Sequence, residues 1–97
     1  KLDIQHDDRL REVFLGDMDQ KIRKEIQSQY DEEHDKYLTD RDFRFSGGGE
    51  SANDILVRMK DFIADVSKKY PGKTVVVVSH ADQIALILEH LSGKKYF

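Results

Sequence analysis

Three places along this chain combine residue types suited to handling an anion. His80 directly follows the run Thr74-Val75-Val76-Val77-Val78-Ser79 and directly precedes an apolar, helix-like segment. A histidine at such a junction sits where open α/β sheets bind ligands, at the carboxyl ends of strands. The first turn of the next helix adds free N–H groups and a positive dipole end, which suit a phosphate. Imidazole can also donate hydrogen bonds and hold charge near neutral pH. The plainer alternative is a histidine that caps the helix or fills a turn, and position alone favours neither. Glu12 lies inside the otherwise apolar stretch 10–15, just before Gly16. A carboxyl group among apolar neighbours has its pKa raised and can donate a proton. Taken alone, however, an exposed or ion-paired glutamate is the better reading. The third place is Gly47-Gly48-Gly49-Glu50-Ser51. Glycines let backbone approach a ligand closely, and Glu50 or Ser51 would then contact it. No Gly-Lys-Ser/Thr follows, so this is not a P-loop. Taken alone, a flexible loop whose Ser51 caps the next helix is the better reading.

The elements that must position these residues are read from periodicity. Residues 51–69 carry Ile55, Leu56, Met59, Phe62, Ile63 and Val66 on one helical face, and Pro71-Gly72 ends that helix. The unalternated valine run at 74–79 predicts a central parallel strand buried on both faces. A second helix is expected over 82–91, stopped by Gly93. Upstream, residues 17–30 favour helix with Asp17 as its cap, since Ile22, Ile26 and Tyr30 recur every four residues. The charged stretch 31–45 reads as a partly helical excursion and a loop. Helix, strand and helix joined by short links predict an α/β class.

Composition narrows the function classes. The chain has 97 residues, 38% hydrophobic and 36% charged, with a net charge of −3. That bounds it to one domain or part of one. It has no basic footprint for nucleic acid, and its apolar runs are too short to span a bilayer. With no cysteine, thiolate metal sites and disulfides are excluded, which fits a cytoplasmic location. His6 and His34 stand in charged clusters without metal-ligand spacing and read as solvated charge, as do Glu32, Glu33 and Asp35 around His34. His90 reads as a favourable charge near a helix end.

Together the three places resemble the histidine phosphatase superfamily, which includes the cofactor-dependent phosphoglycerate mutases. Leu10-Arg11-Glu12-x-x-x-Gly16 is similar to the family's Leu-x-Glu-x-x-x-Gly segment. Gly48-Gly49-Glu50-Ser51 is similar to its Gly-Gly-Glu-Ser loop, and Val76-Val77-Val78-Ser79-His80 to the strand that ends in its second histidine. Order and intervals match from about residue 8 to 92. The resemblance implies a three-layer α/β sandwich with a mostly parallel central sheet, present over 1–97 as a partial domain. It implies that His80 stabilises a transferring phosphoryl group and that Glu12 protonates the leaving oxygen and later activates water. It places a phosphate on the Ala81 backbone N–H, with Gly48, Gly49, Glu50 and Ser51 beside it. No metal or cofactor is implied. The implied partners are a phosphorylated small molecule and the remainder of the same domain, with no nucleic acid or membrane.

The sequence departs from the family pattern in four respects. The attacking histidine of the family lies in Arg-His-Gly, and that tripeptide does not occur here. Asp17-Met18-Asp19-Gln20 stands where Glu-Trp-Glu-Gly is common, and Ala81 replaces a glycine. The family's final strand is not found before Phe97. The expectation is therefore a phosphomonoester hydrolase or mutase domain whose nucleophile comes from a segment outside these 97 residues, with the chain inactive by itself. The alternative is a degenerate, non-catalytic binding or scaffolding module within a larger protein.

Overall fold

In the computed structural model, residues 2–95 are described; Lys1, Tyr96 and Phe97, the ends of the expected 1–97 unit, lie outside them. The described residues form three α-helices: α1 (Arg23–Thr39), α2 (Ala52–Lys69) and α3 (Ala81–Ser92). Single 3-10 turns at Asp8–Leu10 and Gly16–Met18 precede them.

The helix expected over 51–69 forms almost as predicted. Ser51 is its N-cap, accepting from the Asp54 N–H, while the Asp54 carboxylate accepts from the Ser51 N–H. This reciprocal capping box satisfies two donors that the first turn would otherwise leave open. The helix expected over 82–91 is α3, and Gly93, at φ 73, ends it in the left-handed conformation.

The expected helix from Asp17 is displaced. Gln20 adopts φ 62, which no helix interior tolerates, so the helix starts only at Arg23. It then continues to Thr39, so the stretch 31–45 is helix followed by loop, in line with the partly helical excursion expected there. Side-chain pairs one turn apart support it: Gln27 with Asp31, Gln29 with Glu33, and Lys36 with Glu32. Tyr30 and His34 stack with ring centroids 5.1 Å apart.

The α/β sandwich is not what the structure contains. Among the described residues there is no strand and no sheet. Residues 74–79 make no backbone–backbone hydrogen bond among the described residues. All four valines reach water: Val76 and Val78 are 83% and 82% exposed, Val75 and Val77 41% and 37%. The alternation in exposure is that of an extended chain showing opposite sides in turn. Extension alone does not make a strand. A ladder needs a second extended segment to pair its N–H and C=O groups, and among the described residues none does so. The valine run was read as buried because it lacks polar alternation, but apolar side chains record a preference for burial and do not supply the covering layer.

The core lies instead between the helices and the loop that joins α1 to α2. Tyr37, Phe45, Ile55, Met59 and Leu86 are at most 2% exposed. Tyr37 and Phe45 pack with ring centroids 4.9 Å apart. α2 and α3 lie against each other, and Arg41 donates to Glu89 at 2.8 Å to tie the α1–α2 loop to α3.

Candidate active site

His80 caps α3 from the extended side, at φ −119 and ψ 167. Its side chain makes no capping hydrogen bond, so the imidazole is not spent on the helix start. The backbone N–H groups of the first helical turn, from Ala81 onward, have no acceptor within the helix and point out of its positive end. Glu12 comes to the same place from the N-terminal segment. Its Oε2 lies 3.7 Å from His80 Nδ1, with the side chains 55% and 48% exposed. Its other oxygen accepts from the N–H of Val13 at 2.9 Å. The structure therefore joins the two residues read as catalytic, and it leaves both within reach of a ligand. Glu12 is exposed, as the plainer reading of its local sequence has it, and not enclosed by apolar neighbours.

The segment carrying Glu12 is held in an unusual way. Four successive carbonyls each accept from a side chain. Arg58 Nη1 donates to Arg9 O at 2.6 Å, Ser79 Oγ to Leu10 O at 2.7 Å, Gln83 Nε2 to Arg11 O at 2.9 Å and Arg58 Nη2 to Glu12 O at 3.3 Å. Donors from α2, the 74–79 segment and α3 thus take the role that a neighbouring strand would play in a sheet.

The glycine loop is joined to this assembly through Glu50. Its N–H donates to Phe14 O at 2.9 Å, and its carboxylate accepts from Phe14 N–H at 2.9 Å. The same carboxylate takes both arms of the Arg58 guanidinium, at 2.9 and 3.0 Å. Burial alone would raise the Glu50 pKa; the Arg58 fork and the Phe14 N–H overcome it and hold the carboxyl below its ordinary range. Ser51 is 1% exposed and engaged in the helix cap. Gly49 is buried, and a Cβ there would collide with Phe45. Gly48, at φ 83, has open space where a Cβ would stand. Gly47 and Gly48 are thus the loop glycines turned to solvent, while Glu50 ties the loop to Phe14 and Ser51 caps α2.

Other residues that sequence reading passed over also matter here. Asp82, in the first turn of α3, accepts from the buried Tyr37 hydroxyl at 3.2 Å. Burial raises the Asp82 pKa; the Tyr37 hydrogen bond opposes this, and the nearby Glu12 charge adds to it. Burial likewise raises the Tyr37 hydroxyl, with Asp82 adding to the effect. Gln83 is fully buried, and its Oε1 has no hydrogen-bond partner among the described residues. Glu33, read as solvated, is 7% exposed and accepts from the Ser46 N–H and from Gln29, both at 2.7 Å. Arg58 did leave a signal: it is the charged residue that falls between Ile55 and Phe62 on the apolar face of α2.

A groove of about 1090 Å³ is lined by residues 2–11, the 73–78 stretch and the exposed side of α2 near Phe62 and Lys69; Glu12 and His80 are not among its lining residues. Among the described residues, no cluster of three His, Cys, Asp or Glu side chains is placed to hold a metal ion. Among the same residues, no helix is long and apolar enough to cross a membrane.

Comparison with known proteins bears on this geometry. A family model described as the histidine phosphatase superfamily (branch 1) matches residues 1–96. The chain is 31% identical over 90 residues to a phosphoglycerate mutase-like protein 4 of Arabidopsis thaliana, covering 92% of this chain and 39% of that protein. It is 30% identical over 79 residues to phosphoserine phosphatase 1 of Hydrogenobacter thermophilus, covering 81% of this chain and 37% of that one. The chain therefore spans well under half the length of the curated relatives it matches.

Proposed function

The chain belongs to the histidine phosphatase superfamily, and from that premise we propose that it carries the acid and the phosphoryl-stabilising half of a phosphomonoester hydrolase or mutase site. In this reading an attacking imidazole is supplied by a segment outside these residues. The N–P bond forms on that imidazole as the P–O bond to the leaving group breaks. His80 and the first N–H groups of α3 stabilise the charge on the equatorial oxygens. Glu12 gives its proton to the departing oxygen and, in the second half-reaction, takes one from water. The substrate is a phosphorylated small molecule, bound without metal or cofactor, and the site works with the remainder of its own domain. The lack of cysteine supports a cytoplasmic setting.

The observation that carries the proposal is the pairing of Glu12 with His80 at 3.7 Å beside the positive end of α3. A carboxyl group and an imidazole are adjacent, half exposed and not committed to each other by a short hydrogen bond. The alternative of a non-catalytic module predicts the same fold but no turnover.

The test is hydrolysis of an alkyl phosphate, whose departing oxygen needs a proton, by the full-length gene product, its His80→Ala and Glu12→Gln variants, and the 97-residue chain. The expected result is turnover in the full-length protein, a loss of about 100-fold or more in each variant, and none from the isolated chain. An inactive full-length protein would favour the binding-module reading. Turnover by the isolated chain that His80→Ala abolishes would show that the nucleophile has been misplaced.

A further inference from the structure

We propose that Arg58 is a positioning residue for the Glu12 acid, acting through the backbone of residues 9–14; the inference rests on the phosphoryl-transfer reading above. Arg58 and Glu50 side chains are only 10% and 14% exposed. The guanidinium spends its donors on two kinds of partner. Its fork takes the Glu50 carboxylate, and its remaining N–H groups take the carbonyls of Arg9 and Glu12. Glu50, held by that fork, takes the N–H of Phe14. The backbone is thus fixed at Arg9, at Glu12 itself and at Phe14, on both sides of the acid.

This arrangement does more than join two elements. The Glu12 side chain is half exposed and has no partner that fixes it beyond its neighbour's N–H and the 3.7 Å approach to His80. Its position relative to His80 is therefore set by its backbone. No strand pairs with that backbone among the described residues. Arg58 supplies two of the four side-chain donors that hold the carbonyls in place, and it supports the carboxylate that holds Phe14. A rigid planar fork suits this task, since a lysine cannot reach the carboxylate and the carbonyls together. A displacement of about 1 Å at a reacting group can cost about 100-fold in rate.

Leaving-group dependence separates positioning of the acid from bulk stability. An alkyl phosphate needs its departing oxygen protonated, whereas 4-nitrophenolate leaves with little help. Arg58→Gln in the full-length protein should lower kcat/KM, which reports the leaving-group step alone, by about 30-fold or more for an alkyl phosphate, with 4-nitrophenyl phosphate changed by less than about threefold. Arg58→Lys should recover part of the alkyl activity. If Arg58→Gln does not fold, Arg58→Lys carries the test, with the same selectivity and a smaller loss. Equal losses on both substrates, or no loss, would overturn the proposal. Glu12→Gln is run beside them. If it lacks the selective alkyl loss, the acid assignment fails and takes the inference with it. If Glu12→Gln shows that loss and the Arg58 variants do not, the positioning role alone fails.

Discussion

Glu12 Oε2 and His80 Nδ1 lie 3.7 Å apart, although the residues come from opposite ends of the chain. What brings them together is a set of side-chain donors from α2, α3 and the 74–79 segment that grip the backbone around Glu12. The stability of that grip and the chemistry of the pair can be tested separately.

Arg58→Met removes one partner of a mostly buried ion pair and strands the Glu50 carboxylate. The expected loss is about 3 kcal/mol in urea unfolding. The double variant Glu50→Gln with Arg58→Met should cost clearly less than the sum of the single changes, because the two act as one unit. Additive costs would show that they do not couple in solution.

Ser51→Ala deletes the hydroxyl that caps α2 and should cost about 1 kcal/mol. Because Ser51 is buried at the join between the glycine loop and the helix, hydrogen exchange should quicken in the first turn of α2 before it does elsewhere. Unchanged exchange there would argue against the capping box.

The fold should weaken in acid through particular carboxylates. The Arg44 guanidinium holds Asp54 down at about 2 from an ordinary 3.8, and Glu50 is held below its ordinary 4.5. Groups depressed in the folded state add stability above their unfolded pKa and lose it as pH falls through the folded value. Stability should therefore be level above about pH 5 and fall from there toward pH 2. Asp54→Asn should flatten part of that slope. Asp82 has the opposite sign, since its folded pKa is raised. Its contribution is fully present below the ordinary 3.8 and is lost as pH rises through the raised value. Asp82→Asn, which can still accept from Tyr37, should raise Tm at pH 7 and lose the advantage at pH 3. A lower Tm at pH 7 would mean that the α3 dipole favours the charge more than burial opposes it.

Val76→Lys tests the corrected fold. At 83% exposure, this position should accept lysine within about 0.5 kcal/mol. A loss of several kcal/mol would mean that the valine is covered in solution.

The sequence was most informative where local rules decide the structure. Ser51 as a cap, the apolar face of α2 and Gly93 as a stop each follow from local rules, and all three are found in place. The pairing of Glu12 with His80 followed from the family resemblance, because no local rule links residues so far apart. The sheet was misread because the valine run states only what those side chains prefer to contact. Glu33 was misread because its partner, the Ser46 N–H, becomes its neighbour only after the loop folds back. The role of Arg58 was passed over, though a lone arginine on an apolar helix face is a sign of buried polar partners.

The shared site itself is tested most directly by titrating the isotopically labelled 97-residue chain with orthovanadate, a phosphate-like oxyanion, and following backbone amide shifts. The account predicts that the largest changes fall together on Ala81, Asp82 and the residues flanking Glu12, and that His80→Ala removes them while leaving the rest of the spectrum in place. Changes confined to the 2–11 groove, or a full response that persists without the His80 imidazole, would contradict a phosphate site built from Glu12 and His80.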